Sequence, residues 1–422
     1  MCTRSVKVLD MARTRPTRDE GVRRRPKDRK EQIARASAES FSALGYYGVS
    51  METIATRVGI SAAALYRHYS SKYELFRDAV LNLGQQLVDC TAFVDDAAGD
   101  PELTLRRLVS AVIDTAMANR ESGGLYRWEG RYLRGDDQAT LIAQLRTVHH
   151  RIQKPLMAIR PELTSRQRWT LSTSGLSVIG SVVDHRAKLP AIQVRALLAD
   201  LADAVLAADL PDVANSMVEA RPPVATVTET SKYEALLNES MRLFNLKGYR
   251  DTSVEDIATA VGMPASGIYR YFSGKSDILA VAFRRAADRL SAELSAIVGA
   301  VPDREEALTA VVDAYVTRSF HRPELDYVYY TERLNMTAGD QKILRNLQRA
   351  TVESWVDLVV SVRSEWTPGQ ARFAVHAAMS LVIDLGRLMR YEDSAPTRAI
   401  VERLVDLTLL GHYRLRAALP AK

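Results

Sequence analysis

Cysteine is nearly absent from this chain of 422 residues, which has only Cys2 and Cys90. Two cysteines do not form a disulfide framework, so the sequence favours a reducing compartment and we expect a cytoplasmic protein. Long apolar runs are also missing, because the longest candidate, Leu171 to Val183, is interrupted by Ser, Thr and Gly. A bilayer span needs about 20 apolar residues. The N-terminus has no apolar stretch of the signal-peptide type.

Patterns of catalysis and metal binding are equally scarce. The seven histidines never adopt the Glu-x-x-His or His-x-x-x-His spacing of a helical metal site. There is no glycine-rich phosphate loop, and Gly175 to Gly180 imitates a nucleophile elbow where no strand is predicted. His149 and His150 are expected to be solvated. We therefore expect no enzyme, no cofactor and no metal.

Two stretches of the chain repeat each other at a distance of 203 positions. Residues 41–75 and 244–278 align without a gap and are identical at 15 of 35 positions. A period of this length is too long for a solenoid and matches one whole domain. We interpret the chain as a duplication of a single protein.

The repeated stretch has the pattern of a helix-turn-helix. In the first copy, Gly45 is placed to end a helix with positive φ, Ser50 and Ser61 are placed to cap the next two helices, and Gly59 lies in the turn. The second copy has the same devices at Gly248, Ser253 and Gly262. Such a turn presents its second helix to the major groove of DNA.

This pattern resembles the DNA-binding domain of TetR-family transcriptional regulators. The family pattern appears as Ser50, Ile54-Ala55, Gly59-Ile60-Ser61, Leu65-Tyr66-Arg67-His68-Tyr69 and Ser71-Lys72, and again as Ser253, Ile257-Ala258, Gly262-Met263-Pro264, Ile268-Tyr269-Arg270-Tyr271-Phe272 and Gly274-Lys275. Two copies in one chain are similar to two-headed members from actinobacteria, some of which repress lipid-uptake operons. The resemblance implies an all-α fold of two repeats, each a three-helix DNA-binding domain followed by a helical ligand-binding domain. It also implies that the last two helices of each repeat pack together as an intramolecular pseudo-dimer.

The predicted organisation follows from the repeat and from breaks in helical periodicity. We expect a basic flexible arm at 1–28, a first DNA-binding domain (head 1) at 29–77, a helical regulatory domain at 78–210, a linker at 211–230, a second DNA-binding domain (head 2) at 231–281 and a second regulatory domain at 282–418. The apolar stripes expected at the pseudo-dimer seam are Leu176, Ile179 and Val183, with Leu381, Leu385 and Leu388.

The candidate DNA-binding residues lie in the two heads and the arm. Arg67 and Arg270 are expected to contact guanine or phosphate, and the methyl groups of Ala62 to Ala64 to pack on thymine methyls. The tyrosines and lysines are assigned to phosphate, whereas Leu65 and Ile268 are expected in the core. The full set is Arg23, Arg24, Arg25, Lys27, Ser50, Ser61, Ala62, Ala63, Ala64, Tyr66, Arg67, His68, Lys72, Ser253, Pro264, Ala265, Ser266, Tyr269, Arg270, Tyr271 and Lys275.

The two heads differ in sequence. The family's Gly-Thr pair before Leu-Tyr is Ala63-Ala64 in head 1 and Ser266-Gly267 in head 2, so neither keeps the Thr hydroxyl that helps to hold phosphate in the family. Pro264 replaces the usual Ser at the start of the second recognition helix, a position where proline is tolerated. Gly267 weakens that helix by roughly 1 kcal/mol relative to Ala.

Positive charge is concentrated at head 1. Residues 1–28 hold nine Lys and Arg against four Asp and Glu, residues 29–77 hold seven against four, and residues 231–280 hold six of each. Basic charge on a head is typical of phosphate binding, so head 1 and its arm are expected to supply most of the electrostatic affinity. The arm itself has two interpretations, a solvated tail or an arm that reaches the minor groove.

Each regulatory domain is expected to form an apolar ligand cavity, as in the family, for a small and possibly lipid-like effector. The candidate ligand-binding residues are Tyr126, Trp128, Glu129, Tyr132, Trp169, Tyr315, Tyr327, Tyr330, Glu332, Trp355 and Phe373. For any single aromatic residue, core packing is the favoured alternative. For Glu129 and Glu332 the favoured alternative is a surface ion pair with Arg131 and Arg333.

The sequence therefore predicts a repressor that binds double-stranded DNA through two unlike half-sites and is released by an effector. A rival interpretation is a regulator in which only head 1 binds DNA and head 2 docks a protein partner. A homodimer of double chains with four heads is a third possibility.

Overall fold

The structure is a computed structural model that describes residues 26–96, 99–211 and 232–411. It is all-α, with no strand among the described residues. The helices of the first repeat are α1 (Pro26–Gly48), α2 (Met51–Val58), α3 (Ala62–Tyr66), α4 (Lys72–Thr91), α5 (Pro101–Ala118), α6 (Gly135–Ile159), α7 (Ser165–Gly180) and α8 (Ala191–Leu206). A π-helical segment, Leu125–Glu129, lies between α5 and α6.

The second repeat follows the same order. Its helices are α9 (Lys232–Lys247), α10 (Val254–Ala260), α11 (Ala265–Ile268), α12 (Lys275–Ala300), α13 (Arg304–His321), α14 (Pro323–Glu332), α15 (Ala338–Val362), α16 (Pro368–Leu388) and α17 (Ala395–Leu410). The ordinary helix α14 occupies the position of the π-helical segment in the first repeat. The predicted all-α tandem fold is thus confirmed.

Capping side chains start the helices where the sequence places them. The Ser50 hydroxyl accepts the Thr53 amide, Ser61 accepts that of Ala64, and Ser253 accepts that of Asp256. Thr164 with Gln167 and Thr367 with Gln370 form capping boxes at the starts of α7 and α16. Pro264, in contrast, leaves α11 without a side-chain cap.

The first helix departs from the prediction at both ends. It begins at Pro26, and it runs past Gly45 to Gly48, with Gly45 at φ +72° forming a kink inside it. Gly248, at the same position of head 2, has φ +88° and follows the end of α9. The predicted boundaries at residues 77 and 281 fall inside α4 and α12, which continue from the heads into the regulatory domains without a break.

The two repeats meet through their last helices. Helix α7 packs on α16, and α8 packs on α17, so these four helices form a bundle within one chain. One apolar core runs through both regulatory domains and includes Ile179, Val183, Leu381 and Leu385, with Leu176 half-buried beside it. Leu388, the last residue of α16, differs from the prediction, because it is 40% exposed and is not part of this core.

Several predicted features lie outside the described residues. They are Arg23, Arg24 and Arg25 of the arm, the side chain of Lys27, residues 212–230 of the linker and residues 412–418 of the second regulatory domain. Among the helices that are described, none is long and apolar enough to cross a bilayer.

Candidate functional site

Head 1 presents a polar face built around α3. Leu65 is fully buried in the head core, whereas the next three side chains, Tyr66, Arg67 and His68, are exposed. Ser50, Ser61 and Ala63 are exposed as well, and Ala62 and Ala64 are half-buried. The core interpretation of Leu65 is confirmed, and the exposed set is free to contact a ligand as large as DNA.

Head 2 presents a similar face on a shorter helix. Helix α11 spans only Ala265–Ile268, with Ile268 fully buried as predicted. Tyr269, Arg270 and Tyr271 are exposed, and Tyr269 keeps 57% of its surface in solvent. Pro264 and Ser266 are exposed, and Ser253 and Ala265 are half-buried.

The two predicted phosphate lysines are engaged within the protein. The Lys72 ammonium donates to the Val49 carbonyl at 3.2 Å and lies over the Tyr46 ring. The Lys275 ammonium donates to the carbonyls of Tyr249 at 2.8 Å and Thr252 at 2.6 Å. Both lysines therefore hold the chain that leads into the helix-turn-helix.

A buried glutamate joins each head to its own regulatory domain. The Tyr46 backbone N–H, next to the kink at Gly45, donates to Glu129 Oε2 at 2.9 Å. At the same positions of the second repeat, the Tyr249 N–H approaches Glu332 Oε1 at 3.5 Å. The expected ion pairing with Arg131 is present, but its surface location is wrong, because both carboxylates are buried and desolvation raises the pKa of each.

The joints of the two repeats also contact each other. The Arg131 guanidinium reaches Glu332 at 3.1 Å, and it lies 4.0 Å from Glu129 in its own repeat. Above them, the Arg250 guanidinium of head 2 lies 3.6 Å from the centre of the Tyr47 ring of head 1. Tyr47 and Arg250 are the same position of the two repeats. These contacts bring the joints of the two repeats, and the two heads themselves, together.

A second buried polar cluster crosses the interface between the repeats. Arg127 Nη2 lies 2.7 Å from Asp384 Oδ2 and 3.5 Å from Asp184 Oδ2, and Trp128 Nε1 donates to Asp184 at 2.7 Å. Burial opposes the charge of Arg127, but the two aspartates outweigh it and raise the pKa of the guanidinium. No motif in the sequence indicates this cluster, because its members are far apart in the chain.

Cavity 1 lies among α4, α5, the π-helical segment, α6 and α7 of the first repeat and is bordered by α14 and α16 of the second; its volume is about 620 Å³. Its wall is mainly apolar, with Leu83, Ile142 and Leu145 among the residues that line it. Ser177 Oγ, in the wall, is buried without a hydrogen-bond partner in the described structure. Of the predicted ligand-binding residues, the cavity contains Tyr126, Trp128, Trp169 and Tyr327.

Cavity 2, of about 630 Å³, is the counterpart of cavity 1 in the second repeat. Ten of its lining residues stand 203 positions after residues that line cavity 1; they are Tyr329, Tyr330, Arg333, Leu334, Gln341, Arg345, Gln348, Val352, Arg372 and His376. It contains the predicted Tyr330, Trp128 and Glu129. The Trp128 ring stacks on Tyr330 with centroids 4.6 Å apart, and Trp128 lines both cavities.

The remaining aromatic candidates line neither cavity. Tyr132 packs on Tyr46 and Tyr47 in head 1. Tyr315 packs edge-on against Trp355 in the core, and Phe373 is fully buried. Trp355 borders a separate groove that also contains Leu294 and Arg304. For these aromatic residues the structure favours core packing, the alternative to ligand binding. Glu332 also lies outside both cavities.

His149 was predicted to be solvated, and this prediction is wrong. Its ring lines cavity 1, its Nδ1 lies 3.2 Å from Ser172 Oγ, and desolvation lowers its pKa to about 4. Desolvation lowers the pKa of His376, in cavity 2, to about 4 as well. Folding therefore keeps two imidazoles neutral at a pH where exposed histidines are charged.

These two histidines should make the fold sensitive to mild acid. The unfolded chain takes up protons near pH 6.5, but the folded imidazoles resist them until about pH 4. Their contribution to stability is complete above pH 6.5 and is lost as the pH falls towards 4. We expect a His149→Gln, His376→Gln variant to lose less thermal stability than the wild type between pH 7 and pH 4.5. If the melting temperatures of the two proteins fall equally between pH 7 and pH 4.5, the two histidines do not cause the acid sensitivity.

Among the described residues, no three His, Cys, Asp or Glu side chains are grouped as a metal ion would require.

Comparison with known proteins agrees with the two helix-turn-helix heads. Residues 33–79 and 236–282 each match the family of bacterial regulatory proteins named tetR. One curated relative, the HTH-type transcriptional activator FasR of Mycolicibacterium smegmatis, is 34% identical over 116 residues. The match covers 25% of this chain and 53% of the relative, so the chain matches about half of that protein's length.

Solved structures with a similar fold include a TetR-family transcriptional regulator from Bordetella parapertussis 12822, with 20% identity, a TM-score of 0.39, and coverage of 46% of this chain and 100% of that chain. FadR from Bacillus subtilis, solved in complex with stearoyl-CoA, has 15% identity, a TM-score of 0.38, and coverage of 42% and 98%. Both heads match this family over residues 33–79 and 236–282, so the chain carries two TetR-like helix-turn-helix domains in tandem.

Proposed function

We propose that the protein is a one-component transcriptional regulator that reads an operator with two unlike half-sites. The observation that supports it best is the pair of exposed, unlike faces on α3 and α11. Each face belongs to a head whose apolar core also contains residues of the regulatory domain in the same repeat. The core of head 1 includes Leu125, Leu133 and Leu141, and that of head 2 includes the equivalent Val328, Met336 and Leu344. A symmetric dimer with identical heads reads a palindrome, whereas these two heads have different contact residues.

The contact roles follow from exposure and chemistry. Arg67 and Arg270 are exposed and carry guanidinium groups, which bind guanine edges or phosphates, and the exposed Tyr66 and Tyr269 suit phosphates. Ala63 offers a methyl group to thymine. Head 1 carries the larger positive charge, so we assign to it most of the salt-dependent affinity.

We further propose that an apolar effector enters cavity 1 and releases the DNA. The cavity is large enough for a small organic molecule and is mainly apolar, with Ser177 as a polar anchor. Trp128 and Gly130, the neighbours of Glu129, both line it. A ligand that moves this segment therefore acts directly on the joint between Glu129 and Tyr46. Release requires that the ligand bind the DNA-free arrangement more tightly.

A footprint of the purified protein on DNA flanking its own gene tests the proposal. We expect one protected tract with two unlike half-sites, weaker at higher salt and weaker again when a long-chain fatty acid is added. Protection of a single half-site would instead support the alternative in which head 2 docks a protein partner. That alternative is favoured by the neutral charge of head 2 and by the short, uncapped α11.

The direction of control is a separate part of the proposal. Resemblance to the family favours repression, which we propose, although the relative FasR is named an activator. Transcription from the protected promoter should rise when the gene is deleted, and a fall would assign activation. Because bacterial operators lie on the chromosome, the proposed place of action is the cytoplasm.

A further inference from the structure

Cavity 2 has diverged from cavity 1 in the chemistry of its wall. Where cavity 1 has Gly130, Ile142 and Leu145, the equivalent positions of cavity 2 are Arg333, Arg345 and Gln348. Arg349 and Arg372 also line cavity 2. Cavity 1 also contains arginines, but two of them, Arg127 and Arg131, form ion pairs with Asp384 and Glu332. Two cavities of the same origin and nearly the same volume therefore place their arginines at different positions of the wall.

Three of the arginines in cavity 2 lack an ionic partner. Within the described part of the chain, the guanidinium groups of Arg333, Arg345 and Arg349 form no ion pair or hydrogen bond. Arg333 lies over the rings of Tyr329 and Tyr330, and is half-buried. Arg345 and Arg349 are exposed, one helical turn apart on α15. The cavity thus combines one inner cation with two at its edge.

The carboxylates of the same wall are already occupied. Glu353 forms two hydrogen bonds with Arg372, and Asp184 accepts the Trp128 indole. Glu129 accepts the Tyr46 amide of head 1. At longer range these carboxylates offset part of the charge of Arg333 and Arg349. Because five arginines and only three carboxylates line the cavity, it still has an excess of positive charge.

A buried donor also faces an incomplete environment in cavity 2. His185 Nδ1 accepts the Ala187 amide at 3.1 Å, so Nε2 carries the proton of the neutral ring. That Nε2 is buried without a hydrogen-bond partner among the described residues. The ring stacks on His376 at 4.1 Å, and both rings line the cavity. A buried N–H without an acceptor is costly, and a ligand oxygen would satisfy it.

We propose that cavity 2 binds a small organic anion with a phosphate group, a ligand of a different class from that of cavity 1. Guanidinium groups pair with phosphate oxygens through directed, charge-assisted hydrogen bonds. Arg333, Arg345 and Arg349 supply the charge, and the volume of about 630 Å³ leaves room for an organic part beside the tyrosines. The protein then senses two ligands, one in each repeat. The binding itself does not depend on the proposed DNA function.

Calorimetric titration of the full chain with sodium pyrophosphate, without DNA, tests the proposal. We expect one site, whose affinity falls at higher salt, and a loss of roughly tenfold or more in an Arg345→Ile, Arg349→Ala variant. The isoleucine copies the residue at the same position of cavity 1. Arg146→Ala is the matched control, because Arg146 is the exposed equivalent of Arg349 in the first repeat and does not line cavity 1. Its affinity should equal that of the wild type.

Two outcomes overturn the proposal. Equal affinity of the wild type and the Arg345→Ile, Arg349→Ala variant would show that pyrophosphate does not use cavity 2. A loss of binding in an Arg67→Ala, Arg270→Ala variant, with the cavity variant unchanged, would place the anion on the heads. Circular dichroism and a melting curve for each variant verify that the fold is retained.

Discussion

An Arg127→Met variant should lose about 3–5 kcal/mol of unfolding free energy. Arg127 is buried between Asp184 of its own repeat and Asp384 of the other, at 3.5 and 2.7 Å. Methionine fills a similar volume but leaves two carboxylates at the interface without their cation. Removing one member of a buried ion pair is costly because the remaining charge has lost both water and partner. Urea denaturation followed by circular dichroism measures the loss.

Two variants show whether the loss comes from unpaired charge. Arg127→Met combined with Asp184→Asn and Asp384→Asn removes all three charges, and it should recover most of the stability. Arg195→Met is the matched control, because the Arg195 and Asp114 side chains are both about half exposed. Breaking such a surface pair should cost about 0–1 kcal/mol. A cost for Arg127→Met as small as that of the control would contradict a structural role of the cluster.

Removing the exposed side chains of head 2 should weaken operator binding by about 1–3 kcal/mol, or roughly 5- to 150-fold. The variant is Tyr269→Ala with Arg270→Ala, and neither side chain supports the core, since both are exposed. The equivalent variant of head 1, Tyr66→Ala with Arg67→Ala, should lose at least as much and should also show a smaller salt dependence. Mobility shift or fluorescence anisotropy at two salt concentrations measures both.

The comparison between the two heads distinguishes the two proposed functions. If the Tyr269→Ala, Arg270→Ala variant binds the operator with unchanged affinity, this would contradict DNA binding by head 2 and favour its docking to a protein partner. Arg195→Met, on α8 far from α3 and α11 in the chain, should bind the operator like the wild type. The variant with all four substitutions should bind the operator no more tightly than it binds non-specific DNA.

Local features of the fold were predictable from the sequence because each depends on neighbouring residues. The caps at Ser50, Ser61 and Ser253 and the positive φ of Gly45 follow from rules that act within a few positions. Because the two halves repeat each other at a distance of 203 positions, the same rules predict the same helices in the second half. The burial of Leu65 and Ile268 followed from helical spacing in the same way.

Long-range polar contacts could not be predicted. Nothing in the sequence indicates that Glu129 meets the amide of Tyr46, 83 positions earlier, or that Arg127 meets Asp384, 257 positions later. Charged residues are usually exposed, so a surface ion pair was the natural expectation for Glu129 and Glu332. One signal was available: both glutamates recur at the same position of the two repeats, as do Gly45 and Gly248.

The contact between Tyr47 and Arg250 makes the two halves of the molecule different where they meet. In a dimer of identical chains, a residue on the two-fold axis faces its own copy, which would set tyrosine against tyrosine or arginine against arginine. Here the two halves are separate stretches of one chain and differ in sequence, so the two equivalent positions that meet hold unlike residues that attract each other. Under the proposed function, the two unlike heads bind an operator whose sequence differs from its own inverse, so the protein binds it in one orientation. A regulator bound between two divergent genes in this way would present a different head to each of them.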